Sequence, residues 1–254
     1  MCYKLIFKSI YTFINMDLKL FNNKIWIASF DIGKCNFCFH IEEIDISKLT
    51  IIKNIKKNED RYNIDGTPTK QMEKILQTIY MNGKTILNLN SDLTEGCIKS
   101  KYLDTETFHN LTDLLDKYSE YWIKTSMFVI EQQLSFRGKI NTMALKLGQH
   151  TFSYFAFKFG RFKPIIEFPA YHKTHVLGAE KIKSQTKNGK IKYKNIDKPA
   201  RKKWSINKAL EILKQRGEDH LFTQLKTVRK KDDLADCLLQ CIAFIYLAFI
   251  AKTI

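Results

Sequence analysis

Apolar residues along the chain follow two spacings, and together these spacings predict a layered α/β fold. Short continuous apolar runs predict buried strands, whereas apolar positions three and four residues apart predict amphipathic helices. The predicted strands are 24–32, 37–44, 49–55, 126–130 and 163–168, and the predicted helices are 69–80, 105–122, 139–159, 204–216 and 232–251. Because the first three strands follow one another closely, an antiparallel meander is expected. The order of elements indicates a mixed sheet with helices on its faces.

Polar stretches interrupt this pattern without indicating a second domain. Residues 56–104 contain several turn signals around one short helix, so we predict an insertion on the sheet. Residues 181–203 hold ten Lys or Arg and a single acid, which predicts a flexible loop or a hairpin. The chain is therefore predicted to have an N-terminal extension at 1–23 and a single domain at 24–254.

The charge of the chain narrows the classes of partner. Lys and Arg number 42 against 26 Asp and Glu, a formal net charge of +16, and 44% of the residues are apolar. This apolar fraction is typical of a folded protein, and a basic excess of this size favours a polyanionic partner. Nucleic acid is the first candidate and an anionic membrane surface the second. A codon bias towards Lys in an AT-rich genome explains the charge equally well.

The cysteines and the two chain ends bear on the cellular compartment. Cys35 and Cys38 lie in an apolar run, where thiols pack as small hydrophobic groups; a redox pair or half a zinc site is the alternative. An even number of cysteines without a secretory signal fits a reducing, intracellular compartment. Residues 1–16 are basic and apolar, and they weakly resemble an organellar targeting peptide. Residues 237–251 are nearly all apolar and predict a buried core helix.

Acidic residues fall where the predicted elements end or begin. Asp31 ends the first strand, Glu131 follows the strand 126–130, and Asp233 and Asp236 lie three residues apart at the start of the last helix, so they share a face of it. Carboxylates that converge from separate segments repel one another unless a divalent cation binds between them. Each acid alone has an ordinary explanation: Asp232 is well placed to cap the helix, and a Glu after a strand is often solvated.

Three short motifs around these acids make the pattern more specific. They are Phe30-Asp31-Ile32-Gly33 followed by Asn36, Ile130-Glu131-Gln132-Gln133, and Lys230-Lys231-Asp232-Asp233-Leu234-Ala235-Asp236. In this order they resemble the motifs of RuvC-type Holliday junction resolvases, in the branch of poxviruses and large DNA viruses. These enzymes belong to the RNase H-like superfamily. The resemblance covers nearly the whole chain, from residue 25 to about residue 250.

The resemblance implies a fold and an activity. The fold would be an RNase H-like five-stranded mixed sheet, with three antiparallel meander strands and two parallel strands flanked by helices. The activity would be metal-dependent endonucleolytic cleavage of four-way DNA junctions in recombination and repair. Asp31, Glu131, Asp233 and Asp236 would bind two Mg²⁺ ions about 3.5–4 Å apart, with Mn²⁺ as a substitute. A homodimer would match the two-fold symmetry of the junction.

Further residues near these motifs are candidates for catalysis and DNA binding. Lys173 lies where related enzymes carry a lysine that stabilises phosphate charge, so we predict a catalytic role. A zinc site formed by His172 and His175 with Cys35 and Cys38 is the weaker alternative. The predicted DNA-binding residues are Gln132, Phe136, Arg137, Lys139, Lys202, Lys203 and Lys231. Core packing or ordinary surface polarity explains some of them equally well. The basic stretch 181–203 is either a DNA clamp or a solvated insertion.

Several alternatives remain open at this stage. The enzyme could act on flaps, branched DNA or RNA–DNA hybrids, because both insertions could remodel a junction-binding face. A catalytically inactive junction-binding protein is a second alternative, although it would have no reason to keep clustered carboxylates. A membrane-surface protein is a third. The resemblance implies action in the host cytoplasm where viral DNA replicates, or in the virion, and an organelle is the alternative.

Overall fold

A five-stranded mixed sheet forms the centre of the protein. The computed structural model describes residues 23–98, 102–133, 141–185 and 188–254. The sheet has the order β3-β2-β1-β4-β5, with β1 (Lys24–Asp31), β2 (Phe37–Asp45), β3 (Gly83–Ser91), β4 (Thr125–Gln132) and β5 (Ile165–Pro169). The pairs β1–β2 and β2–β3 are antiparallel, whereas β4 runs parallel to both β1 and β5. This arrangement confirms the predicted five-stranded mixed sheet of three antiparallel meander strands and two parallel strands.

Helices flank the sheet, and several of them begin at side chains that accept a backbone hydrogen bond. The helices are α1 (Ile46–Thr50), α2 (Asn58–Arg61), α3 (Lys70–Asn82), α4 (Thr105–Lys117), α5 (Ser119–Lys124), α6 (Thr142–Phe159), α7 (Tyr171–Val176), α8 (Lys198–Gln215), α9 (Asp219–Thr227) and α10 (Lys231–Ile245). Thr69, Asp104 and Asp197 cap α3, α4 and α8 by accepting from backbone N–H groups. A π-helical segment, Tyr246–Ala251, extends α10.

The sheet separates two apolar layers. On one face, Phe30 packs among Phe39, Trp122, Phe128 and Phe155, with the rings of Phe128 and Phe155 stacked at 3.9 Å. On the other face lies α10 with its π-helical extension. By length and composition residues 231–251 could cross a membrane, but 94% of the apolar window is buried inside the protein. The prediction of a buried core helix at the C-terminus is therefore confirmed.

The third strand of the meander comes from a different segment than predicted. Residues 49–55 were expected to form it, but Asp45 accepts a hydrogen bond from the backbone of Ser47 and so starts the short helix α1. The third strand is β3, which lies within the predicted insertion 56–104. A Cβ at its first residue, Gly83, would overlap the side chains of Glu42 and Arg216. Gly83 can begin this strand because only glycine leaves room for the Glu42–Arg216 pair.

Three other local predictions need correction. The predicted helix 105–122 is divided into α4 and α5 at Tyr118, whose backbone leaves the helical conformation. The basic stretch 181–203 forms a hairpin of β6 (Ile182–Gln185) and β7 (Ile191–Lys194), but its last residues belong to α8. Cys38 is buried on β2, as expected of a core thiol, whereas Cys35 is exposed.

Glu42 of β2 and Arg216 at the end of α8 form a buried ion pair. Arg216 Nη2 lies 2.7 Å from Glu42 Oε1, both side chains are at most 2% exposed, and His40 Nε2 lies 2.9 Å from Glu42 Oε2. Arg216 Nε also donates to the carbonyl of Tyr80. Burial alone would raise the pKa of Glu42, but the charge of Arg216 and the hydrogen bond with His40 lower it to about 2.

We expect Arg216→Leu to reduce the free energy of unfolding by about 3–5 kcal/mol, because it leaves a buried carboxylate without its cation. The exposed neighbour Lys214 gives the control, and Lys214→Leu should cost less than about 1 kcal/mol. Because the folded pKa of Glu42 is depressed, its contribution is present above pH 4.5 and is lost as the pH falls towards 2. Urea unfolding at several pH values measures both effects. Equal stability of the two variants would contradict the prediction.

Candidate active site

The four predicted acidic residues lie near the carboxyl ends of the parallel strands β1 and β4. Asp31 is the last residue of β1 and Glu131 is the penultimate residue of β4. Because β1 and β4 are adjacent and parallel, with Phe30 opposite Ile130, both carboxyl groups leave the sheet at the same end. A hydrogen bond joins the two carboxyl groups. Asp233 and Asp236 come from the first turns of α10.

A buried amide holds α10 in place above the ends of these strands. Gln240, which is 1% exposed, lies one turn after Asp236. Its Nε2 donates to Ser29 Oγ at 3.0 Å, to the Phe30 carbonyl at 3.1 Å and to the Val129 carbonyl at 3.3 Å. These bonds tie α10 to both β1 and β4. The polar residue that interrupts the apolar C-terminal run therefore fixes the position of Asp236 relative to the strand ends.

Lys173 lies between the acids of two elements. Its side chain comes from α7 and is 7% exposed; Nζ is 3.4 Å from Glu131 Oε1 and 3.3 Å from Asp236 Oδ2. Burial would lower the pKa of Lys173, but Glu131, Asp236 and Asp31 together raise it, so the ammonium group stays charged. The structure thus brings the predicted catalytic lysine into direct contact with two of the predicted acids.

Asp31 and Glu131 differ in their protonation. Burial, followed by the charge of Glu131, raises the pKa of Asp31 well above its ordinary value. Burial also acts to raise the pKa of Glu131, but Lys173 and the hydrogen bond with Asp31 lower it. The surroundings of the two carboxyl groups therefore move their pKa values in opposite directions, up for Asp31 and down for Glu131.

Asp232 and Asp233, at the start of α10, have different electrostatic surroundings. Asp232 forms an ion pair with Lys202 of α8, which lowers the pKa of Asp232 against the effect of burial. Asp232 does not cap α10, because Lys230 occupies the N-cap position and no side chain accepts a capping hydrogen bond there. Burial and the charge of Asp232 raise the pKa of Asp233 to about 6. Asp233 is therefore neutral at low pH, and it gains its negative charge only as the pH rises through about 6.

The predicted DNA-binding residues are spread over different surroundings. Gln132 lies half-buried at the end of β4, and Lys203 is exposed on α8. Lys202 pairs with Asp232, and Lys231 donates to the carbonyl of Lys226. Phe136, Arg137 and Lys139 lie outside the described residues.

Two features of the site had no signal in the sequence. Cys38 of β2 and Cys237 of α10 lie beneath the acids and form a hydrogen bond with each other. A cavity of about 480 Å³ opens beside Glu131, Lys173 and Asp236, and its far wall comes from the segment after β2. Neither could be found from spacing, since both depend on contacts between residues far apart in the chain.

The chemistry of the donor set fits divalent cations of the Mg²⁺ type. Five carboxylates, those of Asp31, Glu131, Asp232, Asp233 and Asp236, stand against the ammonium groups of Lys173 and Lys202. Carboxylate oxygens are the ligands that hard cations select. Among the described residues, the one group of three or more His, Cys, Asp or Glu whose ligand atoms lie within 4.8 Å of one another is His40, Glu42 and Cys241. The acids at the strand ends do not come this close together, and neither does the His172, His175 and Cys35–Cys38 set weighed as a zinc site.

Comparisons with known proteins show the family to which the chain belongs. It is 36% identical over 237 residues to the uncharacterized protein 170L of Invertebrate iridescent virus 6, covering 88% of this chain and 90% of that protein. No family model matches. Two similar solved structures are resolvases, the class whose motifs the sequence resembles. The fowlpox virus resolvase with Holliday junction DNA has 14% identity, covers 87% of this chain and 97% of its own, and has a TM-score of 0.45. RuvC of T. thermophilus with a Holliday junction has 11% identity, coverages of 88% and 95%, and a TM-score of 0.46.

Asp31→Asn should stabilise the protein at pH 7 in EDTA. The folded-state pKa of Asp31 is raised, so the folded protein loses stability as the pH rises from 3.8 through that pKa. Each pKa unit of the shift corresponds to about 1.4 kcal/mol, and an amide in place of the carboxyl removes this loss. The gain should be absent at low pH, where Asp31 is protonated in both states. Denaturant unfolding at a series of pH values measures it.

Asp232→Asn is the matched control, because Lys202 already pairs with Asp232 and lowers its pKa. This variant should show no gain at pH 7 and a small loss at most. A destabilised Asp31→Asn in EDTA would show that Asp31 is charged and satisfied in the folded protein.

Proposed function

We propose that this chain, which belongs to the same protein family as 170L of Invertebrate iridescent virus 6, is a metal-dependent nuclease that cuts four-way DNA junctions. The observation that carries the proposal is the meeting of Glu131 and Asp236 at the Lys173 ammonium, with Asp31 hydrogen-bonded to Glu131. Such a concentration of buried carboxylates costs folding free energy and is typical of catalytic metal sites.

The arrangement meets the needs of phosphodiester hydrolysis. Bound Mg²⁺, with Mn²⁺ as a substitute, would neutralise the phosphate and lower the pKa of the attacking water. Asp31, Glu131, Asp233 and Asp236 would hold the two ions. Lys173 would move from the acids towards the phosphate and stabilise its negative charge, since a buried ammonium is a strong electrostatic partner in a site of low dielectric constant. The products would carry 5′-phosphate and 3′-hydroxyl ends.

The four-way junction is proposed on grounds of sequence and symmetry. The three acidic motifs resemble those of junction resolvases, and the formal charge of +16 suits a branched polyanion. A junction has two-fold symmetry, and its resolution needs two cuts, so we propose a homodimer with one active site in each subunit. Gln132, Lys203 and Lys231 are proposed to contact the DNA, together with Phe136, Arg137 and Lys139. Since the relative belongs to an iridescent virus, we propose that the protein acts inside infected cells on replicated viral DNA.

Asp31→Asn should lower the cleavage rate of a labelled immobile junction in Mg²⁺ by roughly a thousandfold or more, because it removes a ligand of the reacting centre. Junction binding should persist or tighten, since the variant carries less negative charge near the DNA. Cleavage is measured on denaturing gels, with matched duplex, flap and RNA–DNA hybrid substrates and with EDTA in place of Mg²⁺.

Asp219→Asn provides the control, because Asp219 is an exposed acid in the first turn of α9. It should cleave at the wild-type rate. Cleavage of flaps or hybrids in preference to junctions would retain the nuclease and overturn the proposed substrate. Junction binding without any cleavage by the wild-type protein would overturn the catalytic proposal.

A further inference from the structure

The cavity beside the acids is a feature of the site that the proposed chemistry does not use. It has a volume of about 480 Å³, and Glu131, Lys173 and Asp236 line one end of it. The rest of the lining comes from residues 58–66, from helix α7, from residues 179–181, and from residues between 195 and 205, which include the start of α8. The volume is within the range of about 300–1,000 Å³ typical of small-molecule pockets, so a single nucleotide fits and a double helix does not.

Specific contacts hold the wall formed by residues 58–66 against α7. The Tyr62 hydroxyl donates to the carbonyl of Val176 at 2.8 Å, and the Lys181 backbone N–H donates to the carbonyl of Asp65 at 2.6 Å. Gly178 has a φ of +70°, and a Cβ there would overlap Pro68. The wall is therefore an ordered part of the site.

Helix α7 presents two different faces at the active site. Lys173 points to the acids, whereas Tyr171 and His175, one turn apart on the same face, line the cavity. Tyr171 is 57% exposed. His175 is also exposed, and the buried ring of Tyr62 supports it from behind at a centroid distance of 5.5 Å. Two aromatic rings are thus available at the cavity surface, next to the residues that would bind the cleaved phosphate.

Cationic side chains surround the rest of the opening. Lys181 and Arg201 both line the cavity, and Arg201 is close enough to Glu131 to contribute to the lowering of its pKa. Glu180 also lines the cavity, beside Lys181, and Arg201 lies near Glu131, so the cations adjoin the acids instead of occupying a separate end. A strand that enters it can place one phosphate at the acids and a neighbouring phosphate at the cations.

We propose, as an extension of the nuclease function above, that this cavity binds one unstacked base of the cleaved strand, next to the scissile phosphate. The rings of His175 and Tyr171 stack on the base, and Arg201 and Lys181 bind the adjoining phosphate. Enzymes that act on branched or flipped nucleic acid use aromatic platforms because every base offers a face for stacking. Continuous stacking is already interrupted at a branch point, so turning one base out there costs less than it does within a duplex.

The test measures binding of fluorescent four-way junctions by anisotropy in EDTA, so that it does not depend on cleavage. A single abasic residue is moved position by position along the strand near the branch point. We expect one position at which loss of the base weakens binding by about 5- to 100-fold, which corresponds to the stacking of one base on an aromatic ring. In the double variant Tyr171→Ala/His175→Ala the intact junction should bind more weakly by a similar factor. The abasic position should then have no additional effect.

His220→Ala is the control, since His220 is an exposed histidine on α9, outside the cavity lining. It should retain the position-specific effect. Arg201→Gln should reduce the salt dependence of binding by about one counterion. An equal effect of base loss at every position, or a full effect in the double variant, would overturn the cavity assignment. Failure of the wild-type protein to cut junctions in Mg²⁺ would instead overturn the proposed function and leave this binding measurement interpretable.

Discussion

The ammonium group of Lys173, between the carboxylates of Glu131 and Asp236, is the interaction that makes this site compatible with a folded protein. Several acids gathered at the end of a sheet repel one another, and burial adds to the cost because charge is removed from water. The lysine offsets part of this cost, and the raised pKa of Asp31, which favours its neutral form, offsets more. A divalent cation would take over both roles, with a larger charge in the same place.

The surrounding fold positions the acidic side chains. Parallel pairing of β1 with β4 brings Asp31 and Glu131 to the same end of the sheet. The three hydrogen bonds of Gln240 fix α10 above them. The protein also contains a contrasting buried acid, Glu42, whose carboxylate is matched by Arg216 and His40. The pKa of Glu42 falls to about 2, whereas that of Asp31 rises. The charge of Glu42 is balanced by its neighbours and serves the fold, while the acids around Asp31 keep an excess of negative charge.

The segment between β2 and β3 gives the site its shape. Its residues pack against α7 through Tyr62 and form a wall of the cavity. Helix α7 therefore connects the acids on one side with the cavity on the other. A change in the length of this segment would alter the surface that meets the substrate without moving the carboxylates.

The sequence by itself determined the parts of this protein that depend on local spacing. Apolar runs located β1, β2, β4 and β5, and the acids at strand ends and at the start of the last helix were placed correctly because parallel strands bring their carboxyl ends to one edge. The third meander strand was misplaced, because the need for Gly83 arises from packing over Glu42 and Arg216, which are far apart in sequence. The contact of Lys173 with two acids, the hydrogen bonds of Gln240 and the cavity wall were likewise decided by the tertiary structure alone. Each of these contacts joins segments that are far apart in the sequence. The distance between such segments depends on how the helices pack on the sheet, and the spacing of residues along the chain does not predict it.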